Sequence, residues 1–114
     1  MLPQAYRLSL KTELNRLKKN GQIFQGKFFG LLLDSGGNPE GFSRFGMIVS
    51  NKVAKKAVSR NKIRRFLSES LLTFWPKIKK GKDGIFLAKK TAREANYLQI
   101  KEDIKSLLAK AKLL

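Results

Sequence analysis

Apolar residues recur along this chain with two distinct periods. Leu10, Leu14 and Leu17 repeat at helical spacing and Gly21 follows as a helix-ending residue, which predicts a short first helix at about residues 12–20. From Ile23 to Leu33 the residues are largely aromatic and aliphatic, as suits a strand. Ser35-Gly36-Gly37-Asn38-Pro39-Glu40-Gly41 carries the chemistry of a loop. A second strand is expected from about Ser43 to Ser50, with Phe45, Met47 and Val49 on one face. These two strands are expected to pair as an antiparallel hairpin.

The helical period then returns over a longer stretch. Ile63, Phe66, Leu67, Ser70, Leu71 and Phe74 form one stripe of a long helix, with Phe66 in its middle, and Pro76 ends it. Gly81-Lys82-Asp83-Gly84 reads as a turn, and Ile85 to Ala88 as a third strand. Asn96 can cap a final helix, with Gln99 placed to complete a capping box; Thr91 and Glu94 offer a competing start. Tyr97, Ile100, Ile104, Leu107, Leu108 and Ala111 give that helix its buried face. The order is α-β-β-α-β-α, an α+β architecture with a small sheet, and residues 1–114 are expected to form one domain.

Composition narrows the chemistry. Twenty-five Lys and Arg stand against 8 Asp and Glu, a formal charge of +17. A compact chain with that much self-repulsion calls for a polyanionic partner, a nucleic acid before an acidic protein or an anionic membrane. There is no Cys and no His. Disulfides, thiolate zinc sites and histidine-based acid–base chemistry are thereby excluded. Met1 to Tyr6 lacks the apolar core of a secretory signal, and the longest apolar stretch, Phe28 to Leu33, is far too short to span a bilayer. The chain is expected to be cytoplasmic and not to engage a membrane.

Charge is also unevenly placed. No acidic residue occurs from Gly41 to Ser68, whereas Arg44, Lys52, Lys55, Lys56, Arg60, Lys62, Arg64 and Arg65 do. On a wheel centred on the apolar stripe, Asn61 and Arg65 lie nearly opposite the core. Arg60 and Arg64 run along one edge and Lys62 along the other. Guanidinium forks can meet phosphate oxygens in pairs, and a helix N-terminus adds a favourable dipole. Lys52, Lys55, Lys56, Arg60, Asn61, Lys62, Arg64 and Arg65 are therefore the candidate RNA-binding residues. Glu13, Asp34, Glu40, Glu69, Asp83, Glu94, Glu102 and Asp103 are scattered, and the adjacent pair Glu102–Asp103 is expected at a helix surface. No metal-dependent nuclease site or nucleophile–base pair is visible, so no catalytic residue and no metal ligand is assigned.

Ser50-Asn51-Lys52-Val53, followed by the run from Lys56-Ala57-Val58-Ser59-Arg60-Asn61-Lys62 to Glu69, resembles the signature of the bacterial ribonuclease P protein family. Leu2-Pro3 with Arg7-Leu8 and the order of elements extend the resemblance over nearly the whole chain. It implies a two-layer sandwich like domain 2 of ribosomal protein S5, with a left-handed βαβ crossover. It also implies the non-catalytic protein subunit of an endoribonuclease whose RNA subunit performs Mg²⁺-dependent hydrolysis. The partners would be that RNA and the 5′ leader of precursor tRNA, held in a cleft, with no obligate protein partner. The sequence departs from the family at Ala54, where a Gly is usual, in a loop one residue longer. Leu14 and Lys18 stand where many members carry aromatic residues on the first helix. Leu14, Lys18, Phe24, Phe28 and Phe29 are the leader-cleft candidates, the three Phe as substitutes for the missing aromatics. A structural ribosomal RNA-binding protein is the alternative reading; a DNA-architectural one lacks a helix-turn-helix pair.

Overall fold

A computed structural model describes residues 2–34, 36–38 and 41–114. The principal elements are α1 (Leu10–Asn20), β1 (Gly21–Gln25), β2 (Phe29–Asp34), β3 (Arg44–Ile48), α2 (Ala57–Phe74), β4 (Asp83–Ala88) and α3 (Tyr97–Lys110). The four strands form a mixed sheet in the order β1-β2-β4-β3. β1 pairs antiparallel with β2 and β2 with β4, while β3 runs parallel to β4. The crossover unit is therefore β3–α2–β4. Of the predicted loop, Ser35, Pro39 and Glu40 lie outside the described residues.

The α+β class and the three main helices match the sequence reading; the strands differ in two ways. The segment Ile23–Leu33 is two strands folded into a hairpin, which adds a β element to the expected order. The Ser43–Ser50 strand pairs in parallel with β4 rather than with its predecessor. The first difference has a clear cause. Every residue of β2 is buried, because helices cover both faces of the sheet there. A strand buried on both faces reads as a continuous apolar run, and its turn is hidden when the turn itself carries an apolar residue such as Phe28.

Asp103 makes that turn. Its carboxylate accepts hydrogen bonds from the backbone N–H groups of Lys27, Phe28 and Phe29 at 2.7, 2.9 and 3.0 Å. The surface position expected for Asp103 is thus wrong: it is buried on α3, and the turn amides it satisfies repay its desolvation. Gly26 is required beside it, since a Cβ there would lie 2.7 Å from Asp103 Oδ1.

The main core lies on the α2/α3 side of the sheet. Leu67 and Leu71 of α2 and Ile100, Ile104 and Leu107 of α3 pack with Phe29, Leu31, Phe45 and Phe86, all essentially inaccessible. Asn96 and Gln99 form the expected capping box on α3. The competing start at Thr91 is a separate 3-10 turn, Lys90–Glu94. Phe66 is not the centre of the stripe. It is partly buried and packs at 5.6 Å against the similarly half-covered Tyr97, with Leu67 and Leu71 in the central place instead.

On the other side, Leu8 and Leu17 pack against Leu32 and Ile85 in a smaller cluster. α1 is locked to the sheet end by ion pairs. Arg16 reaches Glu13 at 2.7 Å, Asp34, and Asp83 at 3.0 Å, and Arg44 binds Asp83 at 2.8 Å. Burial works against the Asp83 carboxylate, but its hydrogen bonds from Arg44, Asn38 and Arg16 hold its pKa below the ordinary aspartate value. The hydrogen bonds that Arg16 donates to Glu13 and Asp34 raise its own pKa, with burial opposing them.

Candidate nucleic-acid interface

The N-terminal half of α2 is built against ordinary helix electrostatics. Its N-cap, Lys56, provides no side-chain hydrogen bond, and its first turn holds no acidic residue. Cations at a helix N-terminus face the positive end of the dipole. Here Lys55, Lys56 and Arg60 crowd that end, an arrangement that an incoming anion relieves.

The loop before α2 is anchored from below and basic above. Val53 and Ala54 are buried, with both N–H groups donating to the Ser50 carbonyl, while Lys52, Lys55 and Lys56 are exposed. Arg60 clips this loop to the helix by donating to the carbonyls of Ala54 at 3.0 Å and Lys55 at 2.7 Å. Arg60 thus has a structural task beside any role with RNA, and the loop carrying Ala54 is held by it.

Further along, Arg64 donates to Asn61 Oδ1 at 2.9 Å and borders a cavity of about 200 Å³ with Leu2, Leu10 and Met47. Lys62 and Arg65 sit over the Phe66 ring at 5.6 and 5.5 Å from its centroid. Such cation–π contacts orient long side chains without neutralising them. Asn61, Lys62 and Arg65 line an open concavity of about 520 Å³, with Val58 and Glu69 completing it. Among the basic-segment candidates, Arg60 ties the Lys55–Lys56 loop end to α2, Asn61, Lys62 and Arg65 share one concavity, and Arg64 borders another.

The leader-cleft candidates do not stay together. Leu14 is partly buried on the α1 side, packed against the Leu8–Leu17–Leu32–Ile85 cluster, and Lys18 is exposed on α1. Phe24, Phe28 and Phe29 belong to the opposite side. Phe28 and Phe29 are buried in the main core and Phe24 packs against it. Strand alternation dictates this. Phe24 pairs with Leu31, so both point toward α3 with Phe29 and Leu33. Phe28 and Phe29 are thus core residues, and Phe24 lies partly buried on the sheet face away from α1.

Alternation also shows what the sequence reading missed. Ile23 pairs with Leu32, and Gln25, Gly30, Leu87 and Ile48 form a row across the sheet on the α1 side. Ile48 and Leu87 are only partly buried and Ile23 is 54% exposed. Beside α1 there is therefore a half-covered apolar strip, with the buried Gly30 in its middle. The signal for it was Ile23, the residue out of phase with Phe24.

The acids are not all scattered, as the chain order suggested. Glu13, Asp34 and Asp83 converge on Arg16, brought together by α1, β2 and β4. Guanidinium groups occupy these carboxylates. Among the described residues no group of three or more acidic side chains is placed to hold a metal ion.

A mixed four-stranded sheet, a basic helix crossing from β3 to β4 and a half-open strip beside α1 define an α+β protein of the RNA-binding kind. The comparisons sharpen this. The ribonuclease P family model matches residues 2–112. The ribonuclease P protein component of Microcystis aeruginosa is 35% identical over 115 residues, covering 99% of this chain and 96% of its own. The RNase P protein of Staphylococcus aureus, solved at 2.0 Å, superposes with a TM-score of 0.84 at 29% identity, covering 96% of this chain and 98% of its own. That of Thermotoga maritima gives 0.81 at 27%, covering 91% and 96%. The chain belongs to the ribonuclease P protein family, the protein component of an endoribonuclease that works with the ribonuclease P RNA.

Proposed function

We propose that residues 1–114 act as one RNA-binding unit in the cytoplasm, in which α2 and its preceding loop grip the ribonuclease P RNA while the strip beside α1 receives the 5′ leader of precursor tRNA. The observation that carries this is the uncapped, acid-free and cation-crowded N-terminus of α2. Lys52, Lys55, Lys56, Lys62 and Arg65 engage phosphates, and Arg60 and Arg64 hold the loop and Asn61 in place while adding charge. Ile23, Ile48, Leu87 and Leu14 offer an apolar floor for unstacked bases, with Lys18 above it for the backbone. Phosphodiester hydrolysis and its Mg²⁺ belong to the RNA. The protein's carboxylate cluster is saturated by Arg16 and Arg44 and does not suit a metal. The protein lowers phosphate repulsion and positions the substrate.

Reconstitution tests this. Added to a bacterial ribonuclease P RNA at low Mg²⁺, the protein should restore removal of the 5′ leader, whereas the protein alone with Mg²⁺ should leave precursor tRNA intact. Cleavage by RNA-free protein would overturn the assignment of chemistry to the RNA. Equal affinity for a ribosomal RNA fragment at fixed salt, without stimulation of cleavage, would favour the ribosomal alternative.

A further inference from the structure

A second basic surface lies past the other end of α2. A cavity of about 360 Å³ has Phe24 and Leu33 among its walls and four lysines, Lys79, Lys82, Lys110 and Lys112, around it. They come from two distant segments, the turn leading from α2 into β4 and the C-terminal end of α3. Lys110 donates to the Gln25 carbonyl at 3.0 Å. None of the four forms an ion pair among the described residues. Asp34 also borders the cavity, but its carboxylate is bound by Arg16.

A cation near a helix C-terminus is expected from the dipole. That accounts for Lys110 in the last turn of α3. It does not account for Lys79 and Lys82, which belong to another element, nor for Lys112, which holds a left-handed φ of 59° at the rim. Four lysines around one concavity, whose single carboxylate Asp34 is already bound by Arg16, repel one another, and a polyanion is what such a cluster accommodates.

We infer that Lys79, Lys82, Lys110 and Lys112 form a second site for RNA phosphates, separate from the α2 surface. The thirteen steps from Asn61 to Phe74 span roughly 20 Å of helix at 1.5 Å per residue, and Lys79 and Lys82 follow the C-terminal end of α2 while the basic signature sits at its N-terminal half. One phosphate group cannot occupy both. The protein thereby bridges two RNA segments, or two distant parts of one strand. The inference rests on the reading of the chain as an RNA-binding subunit, and it adds a contact surface that the α2 signature does not include.

Two measurements on the full chain with ribonuclease P RNA test it. In the first, Lys79, Lys82 and Lys112 are changed together to Gln, leaving Lys110 and its backbone bond intact. The slope of log affinity against log salt should become shallower by about 2–3, one counterion-release contribution per lost contact. A control with Lys19, Lys90 and Lys105 changed to Gln loses the same charge away from both surfaces and should change the slope by less than one unit. Equal slopes for the two triple variants would overturn the second site. In the second measurement, the absence of native cysteine allows a cleaving iron chelate to be tethered through Leu114→Cys or Val58→Cys. Each should cut the RNA in a different segment. Cuts from the Val58 position alone would remove the second site and spare the α2 reading. Cuts from neither position would remove both.

Discussion

The two sides of the sheet are finished differently. On one, α2 and α3 close over Phe29, Leu31, Phe45 and Phe86 and leave these rings and chains without solvent contact. On the other, α1 fully covers only Leu8, Leu17, Leu32 and Ile85, and leaves Leu10, Leu14, Ile48 and Leu87 partly open and Ile23 exposed. On the proposed function, the contrast separates stability from recognition. Cavity formation in the closed side costs both transfer energy and packing, whereas the open side has little packing to lose. Leu71→Ala should therefore destabilise the protein by about 3–5 kcal/mol. Ile23→Ser should stay within about 0.5 kcal/mol yet weaken binding of a leader-bearing precursor tRNA more than that of a leaderless one. Urea unfolding of both variants checks this. Comparable destabilisation by the two would show that the sides are equivalent and break the comparison.

The open side depends on something other than apolar burial, and that is the Arg16 clamp. Asp83 is buried and binds Arg16 and Arg44 together, so its loss takes one carboxylate from both guanidinium groups, while Arg16 keeps Glu13 and Asp34. Asp83→Asn should cost about 3 kcal/mol, at the low end for breaking a buried pair because Arg16 keeps two other carboxylates. The pH dependence follows from the depressed Asp83 pKa. A carboxylate whose folded pKa lies below its unfolded value contributes its stability fully above the unfolded value, and that contribution is lost as pH falls through the folded one. Wild type should lose stability on acidification below the ordinary aspartate range, and Asp83→Asn should lose less over the same interval. Parallel acid profiles for the two proteins would mean that Asp83 is not a pH-sensitive part of the clamp.

The helices were legible in the sequence because each buries one stripe. Leu67 and Leu71 recur on α2, and Asn96 and Gln99 announce the start of α3. The basic surface was legible for the same reason, since a helical wheel alone orders Arg60, Asn61, Lys62, Arg64 and Arg65. The hairpin was not. Its strand β2 is covered on both faces and shows no alternation, and the residue that makes its turn, Asp103, lies 74 positions from the Phe29 amide that it binds. Where the three Phe expected at the leader cleft lie was hidden for the same reason, because reading one long strand does not show which rings share a face. The Arg16 cluster could not be read either: Glu13, Asp34 and Asp83 meet only when three elements are assembled.

Phe66 sharpens the boundary between core and interface. Its ring packs against Tyr97 while Lys62 and Arg65 cover it from outside. Phe66→Ala should cost about 1–2 kcal/mol, well under the ~3–5 expected of a fully buried aromatic. It should also weaken RNA binding, because the two cations lose the surface that orients them. A loss of stability equal to that of Leu71→Ala, with RNA affinity unchanged, would move Phe66 into the closed core.

The smallest stability effect belongs to Arg65, and a comparison with Arg60 and Asn61 tests the basic surface itself. Arg65 is exposed and touches only the outer side of Phe66, so Arg65→Ala should alter thermal unfolding by no more than about 0.5 kcal/mol. It should also make the fall of RNA affinity with salt shallower by about one unit, the signature of one lost phosphate contact. Arg60→Ala removes the same charge but also strips the donor from the Ala54 and Lys55 carbonyls, and should cost about 1 kcal/mol in addition. Asn61→Ala removes no charge. It frees Arg64 from its 2.9 Å bond, so affinity should drop while the salt slope stays that of wild type. If Arg65→Ala unfolds the protein and leaves both affinity and slope unaltered, the basic face of α2 is a structural surface and the interface lies elsewhere.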